Sequence, residues 1–212
     1  MSFLQFILKH RLEITTRSLE HIRLVLWSMM FSIVIGIPLG VLLARHPRLR
    51  AVILGTNNVI QTIPSLALFG LLLPIPWLGV RADRLTITAL TLYALLPIVR
   101  NTYTGISGVD PSVLEVATGM GLTPRQILWH VEVPLAFPVL LGGVRVATVI
   151  TIGVATIAAA IGAGGLGEFI FRGLAMVDNN VILAGAVPAA LMALLADGSI
   201  GLLQRGARWR RR

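Results

Sequence analysis

Residues 110–134 read DPSVLEVATGMGLTPRQILWHVEVP, and their spacing predicts two short helices meeting at a glycine elbow. Asp110 or Ser112 can cap the first helix, Pro111 suits its first turn, and Ser112 and Glu115 have capping-box spacing. Gly119 and Gly121 stand where that helix must end, in a position that favours left-handed backbone. Thr123 is placed to cap a second helix, with Pro124 in its first turn and Gln126 completing another capping box. Pro134 marks the end of the segment or a kink where the next apolar run begins.

The elbow lies between apolar runs long enough to cross a bilayer, which takes roughly 20 helical residues. The chain has 212 residues, 56% of them hydrophobic and only 13% charged, too little charge to cover a soluble domain. Mean hydropathy is +0.86. The ~10-residue alternating segments of a β-barrel are missing. The expected fold class is therefore an all-α polytopic membrane protein of about five transmembrane helices, near 21–44, 51–73, 85–106, 134–161 and 181–203. Residues 1–18 form an amphipathic N-terminal segment, with Phe3, Leu4, Phe6, Ile7 and Ile14 expected to face lipid. Residues 19–204 form the transmembrane domain, and 205–212 form a basic tail. Lys9, His10, Arg11, Glu13 and Arg17 interrupt the first twenty residues, so no cleavable signal peptide is expected there.

Lys and Arg favour the cytoplasmic side. An outside N-terminus and an inside C-terminus put Arg45, Arg48, Arg50, Arg100, Arg125 and the tail arginines inside. Lys9, Arg11, Arg17, Arg81, Arg84 and Arg172 then fall outside. Net charge is +9, yet a nucleic-acid partner is not expected, because a groove reader needs a soluble body. There are no cysteines, the four histidines lack ligand spacing, and no G-x-x-x-x-G-K loop or nucleophile–base pair occurs. The chain is therefore expected to be no enzyme, to bind no metal or cofactor, and to leave ATP hydrolysis to another subunit.

The 110–134 stretch resembles the "EAA" signature of binding-protein-dependent ABC importer permeases. Glu115, Ala117, Gly121, Val131, Val133 and Pro134 fill the signature's places, with Val116 where the first alanine is usual and valines for the usual Ile and Leu. The resemblance implies that the elbow is a cytoplasmic coupling helix that docks on the ATPase subunit, with Glu115, Ala117, Gly121, Leu122, Thr123, Pro124 and Pro134 as its coupling residues. Residues 33–45 (IVIGIPLGVLLAR), 57–68 (NNVIQTIPSLAL), 97–106 (PIVRNTYTGI) and 161–167 (IGAGGLG) look like permeases for the osmoprotectants glycine betaine, carnitine and choline. The implied fold is the five-span type shared with methionine permeases. The implied partners are two ABC ATPase subunits that bind ATP and Mg, a second permease copy or a paralogue, an extracytoplasmic substrate-binding protein, and membrane lipid. The implied location is the cytoplasmic (inner) membrane of a bacterium or archaeon. An aromatic cage for the quaternary ammonium is expected in the binding protein, since this chain has two tyrosines and four tryptophans. The alternatives are the same importer class with an amino-acid or oxyanion cargo, or an ATP-independent channel or secondary carrier.

Other residues are singled out by membrane physics. Pro64 removes a backbone donor at membrane depth, beside Gln61, Thr62 and Ser65, so the break either lines the translocation path or is a kink rescued by neighbouring hydroxyls. Pro38 and Pro97 carry a weaker form of that argument. Arg145 lies within a span, where a charge is costly; it either pairs inside the bundle or snorkels, and Asp197 is the acidic candidate for it or for Arg100. Gly162, Gly164 and Gly167 match G-x-G-x-x-G, but no strand precedes them, so a dinucleotide site is not expected. With Gly165 they are assigned to a turn at the outer end of the path, where the binding protein docks.

Overall fold

The computed structural model describes residues 3–209, and side chains through residue 206. Arg210, Arg211 and Arg212 of the expected basic tail lie outside the described residues, as do the side chains of Arg208 and Trp209. The described chain is helical throughout, in the order α1 (Phe3–Arg45), α2 (Pro47–Thr62), α3 (Ser65–Leu72), α4 (Pro76–Gly79), α5 (Ala82–Ser107), α6 (Pro111–Gly119), α7 (Pro124–Ile127), a π-turn (Leu128–Glu132), α8 (Val133–Ile157), a 3₁₀ turn (Ala158–Ile161), α9 (Gly167–Met176) and α10 (Asn179–Trp209).

Four stretches are long and apolar enough to cross a membrane, and a fifth is counted if the bent α2–α3 pair is one span. The second expected span, 51–73, is therefore not a straight crossing. It begins at Pro47, breaks between Thr62 and Ser65, and turns by 103°. The cause is Pro64, which has no N–H to donate and whose preceding residue, Ile63, is pushed to extended backbone (φ −71°, ψ 125°).

The expected N-terminal segment, 1–18, is continuous with the first expected span in α1. Helix α1 runs from Phe3 to Arg45 with a kink at His10, where the backbone leaves helical geometry (φ −103°, ψ 15°). Two of its residues assigned to lipid are instead packed inward. Phe6 and Ile14 lie against Phe169, Val181 and Ala184, so the segment is held by α9 and α10. Leu4 remains exposed.

Helix α5 is the centre of the bundle, with nearly every residue from Leu85 to Val99 buried or half-buried. Lipid offers no hydrophobic drive between helices, so close backbone approach and hydrogen bonds do the work. A Cβ at Gly36 would stand 2.8 Å from Ile98 Cγ2, and one at Gly143 2.7 Å from the Pro97 carbonyl; the missing side chains are what let α1 and α8 lie against α5. Ser32 Oγ donates to Thr91 O (3.3 Å) and Thr91 Oγ1 to Ser28 O (3.4 Å), stitching α1 to α5 where no water competes.

Candidate functional sites at the two ends of the bundle

The elbow forms much as its residues dictate. Of the two possible first caps, the structure uses Asp110: its carboxylate accepts the Ser112 N–H (2.9 Å) and hydroxyl (2.8 Å). Those two donors hold the Asp110 carboxyl below the usual carboxylate range. Ser112 is thus a donor to the cap, and the Ser112–Glu115 capping box expected from spacing does not form; Glu115 points into the open. The helix closes in a Schellman arrangement, with Leu122 N–H donating to Ala117 O (3.2 Å), Gly121 N–H to Thr118 O (2.9 Å), and Gly121 left-handed at φ +81°. Gly119 ends α6 with ordinary helical backbone, so Gly121 alone supplies the turn. Thr123 and Gln126 make the full capping box of α7: Gln126 N–H to Thr123 Oγ1 (3.4 Å) and Thr123 N–H to Gln126 Oε1 (2.8 Å).

The elbow therefore joins Glu115, Ala117, Gly121, Leu122, Thr123 and Pro124 in one unit. Ala117 is buried, whereas Val113 and Val116 of α6 and Met120 just after it are exposed. Pro134 lies further along. It sits in the first turn of α8, directly after the π-turn, and the chain stays helical through it. The five-residue π-turn just before it absorbs the missing Pro134 donor, with Val133 N–H reaching back to Leu128 O.

One contact at this end escaped the sequence reading. Glu132, in the π-turn, is only 2% exposed and pairs with Arg45 at the end of α1, 87 residues away. A buried carboxylate requires such a partner. Neither residue belongs to a local pattern, so nothing in the sequence announces the pair.

Around Pro64 the broken backbone is clamped to α5. Pro97 has no N–H, which leaves the Tyr93 carbonyl without its helical donor, and Gln61 Nε2 donates to it (3.0 Å). Tyr93 Oη in turn donates to Ile63 O. Thr62 Oγ1 donates to Val59 O (2.7 Å). Hydroxyls thus satisfy part of the break, while Thr62 and Pro64 remain exposed and Gln61 and Ser65 half-buried. Pro38 and Pro97 sit inside unbroken helices, and Pro97 is buried. Arg145 lies in α8. It pairs with Asp197 across α8 and α10, its Nε and Nη2 each 2.5 Å from a carboxylate oxygen, with the pair a little over one-third exposed. Arg100 has no carboxylate partner among the described residues and is exposed.

At the far end of α8, Gly162, Gly164 and Gly165 all take left-handed backbone (φ +77° to +81°) and turn the chain into α9. Gly164, Gly165 and Gly167 are buried, so of the four glycines only Gly162 offers surface to a docking partner. The first segment of α1 covers the rest. Gly165 N–H donates to Glu20 Oε2 (3.0 Å), Arg17 bridges Glu20 (2.9 Å) and Glu168 (2.5 Å), and Arg172 pairs with Glu13 (2.8 Å). His21 is buried beside them, with Nε2 3.1 Å from Ile152 O.

Comparison with known proteins agrees with this architecture. The bundle superposes on a methionine ABC transporter, MetNI, in an inward-facing form with a TM-score of 0.82 over 92% of this chain and 96% of that one, at 24% identity, which speaks to fold alone. Among curated proteins, it is 45% identical over 187 residues to the glycine betaine/carnitine/choline transport system permease protein OpuCD of Bacillus subtilis, covering 88% of this chain and 80% of that protein. It is 41% identical to the choline transport system permease protein OpuBB of the same organism (95% and 91% covered), and 40% identical to the osmoprotectant import permease protein OsmW of Salmonella typhimurium (96% of each). Residues 36–209 match the family described as binding-protein-dependent transport system inner membrane component, and the chain belongs to that family.

Proposed function

We propose that this chain is the permease subunit of an ATP-binding-cassette importer for osmoprotectant quaternary amines: glycine betaine, carnitine and choline. Two copies, or one copy and a paralogue, enclose one path in the cytoplasmic membrane, with the N-terminus outside. Two ATPase subunits bind ATP and Mg and dock at the elbows, and an extracytoplasmic binding protein delivers cargo from above. The observation that carries this reading is the elbow: a doubly capped rigid unit between two spans, with Val113, Val116 and Met120 exposed and unpartnered. A rigid unit passes on a push from a partner, whereas a loop without internal hydrogen bonds dissipates it. The cargo class is supported by the likeness to permeases named for those solutes. The path is assigned to the face carrying Gln61, Thr62, Pro64 and Ser65, and Arg145 to its wall.

The test is uptake of labelled glycine betaine, carnitine and choline into proteoliposomes holding the complete importer, with and without internal ATP. ATP-dependent uptake of these solutes is the expected result. ATP-dependent transport of an amino acid or oxyanion instead overturns the cargo, and uptake indifferent to ATP overturns the importer.

A further inference from the structure

Of the arginines with no carboxylate partner among the described residues, two share one cavity on the inner half of the bundle. Arg17, Arg45, Arg81, Arg145 and Arg172 each pair with a carboxylate. Arg50 and Arg100 do not, among the described residues, yet both line a cavity of about 240 Å³ between α2 and α5. Its other polar lining is Asn58, Tyr103 and Thr104, with no acidic side chain present. The Arg50 guanidinium sits over the Tyr103 ring, 4.8 Å from its centroid, so that ring already hosts a cation.

The cavity follows a row of mixed polar and apolar residues. Arg50, Leu54 and Asn58 recur every four residues along one face of α2, which leads on to Gln61 and the Pro64 break. Leu96, Arg100, Tyr103 and Thr104 face it from α5, below Tyr93, whose carbonyl Gln61 holds. The row thus runs from the broken helix to the end of α5 that feeds the elbow. The space is smaller than the ~300–1,000 Å³ pockets of drug-sized ligands, which suits a small solute.

We propose that this cavity is an inner subsite for zwitterionic cargo, in which Arg100 takes the carboxylate and the Tyr103 ring takes the quaternary ammonium as Arg50 swings aside. The inference rests on the importer reading above. Its chemistry separates the cargoes: betaine and carnitine bring a carboxylate to the guanidinium, for a charge-assisted hydrogen bond. Choline brings only a cation to a cavity that already holds two.

The test compares uptake of the three labelled solutes by the complete importer, wild type and Arg100→Gln, in proteoliposomes with and without anionic lipid. Arg100→Gln is expected to reduce betaine and carnitine uptake by about tenfold, the scale of one lost charged hydrogen bond, with choline uptake retained. Retained choline uptake also shows that the variant folds and assembles. Arg100→Lys, which keeps the charge and loses the planar fork, is expected to fall between the two. Equal effects on all three solutes, or no effect, overturn the subsite. An equal loss seen only with anionic lipid overturns it in favour of a phospholipid headgroup at the same arginines. A wild-type importer that moves none of the three with ATP sinks both the cargo reading and the subsite, whereas normal wild-type uptake without cargo discrimination in the variants sinks the subsite alone.

Discussion

The two corners that bracket α7 and α8 both close with a local hydrogen-bond pair at a left-handed glycine, but only one of them is also tied to a distant helix. At the elbow every stabilising hydrogen bond spans at most five residues: Asp110 to Ser112, Leu122 to Ala117, Thr123 to Gln126. At the outer corner the turn is also held by groups 131 to 159 residues distant: Glu20 on Gly165, His21 on Ile152, Glu13 on Arg172. The elbow is a self-contained part that can move as a unit. The outer corner has a local turn of its own and is tied to α1 as well, so anything that shifts α1 is felt there.

The largest effect is expected at the outer corner. A Cβ at Gly167 would lie 1.8 Å from the Thr156 carbonyl oxygen, with no flexible atom to yield. Gly167→Ala is therefore expected to cost more than about 3 kcal/mol, read as loss of folded protein by size-exclusion in detergent. A Gly167→Ala variant as stable as wild type would break the contrast, since the corner would then tolerate local change.

Next comes the one long-range tie at the inner end. Arg45→Ala strands the Glu132 carboxylate in a buried place; Arg45 itself is partly exposed, so a cost of about 2–3 kcal/mol is expected, below the ~3–5 of fully buried pairs. Adding Glu132→Gln removes the stranded charge and is expected to restore most of the thermal midpoint. No rescue by the second change would mean that Arg45 acts through something other than Glu132.

The smallest effect is at the elbow's own cap. Thr123→Ala removes one capping hydroxyl, worth about 1 kcal/mol, and the loss is expected to stay local. Faster amide exchange over residues 125–127, with no change around Gly165, would sharpen the comparison; exchange that rises at both ends would blur it.

This contrast also explains what the sequence made legible. The elbow was readable because caps, capping boxes and left-handed glycines are short-range devices with fixed spacing; coordinates were needed to choose Asp110 over the Ser112–Glu115 box and Gly121 over Gly119. The spans were readable from apolar length, apart from the second, where Pro64 pointed to a break but not to a 103° turn. The docking of Phe6 and Ile14 onto α9 and α10 was not readable, because an apolar stripe on a first helix fits lipid and protein equally well. Arg145 with Asp197 was within reach, since each was an unusual charge in an apolar run. Glu132 with Arg45 was not, since both sit at helix ends where a charge excites no notice.

The central claim is that the elbow passes force between an ATPase partner and the spans, and Gly121 tests it most directly. A Cβ there meets no atom within 4 Å, so the main cost expected for Gly121→Asp is the strain of its left-handed backbone, which Asp tolerates better than most residues. The measurement is ATP hydrolysis by the assembled importer in proteoliposomes, with and without cargo-loaded binding protein. Wild type is predicted to hydrolyse ATP faster when the binding protein is added, and Gly121→Asp to assemble yet lose that response. An assembled Gly121→Asp importer that responds like wild type would contradict the account.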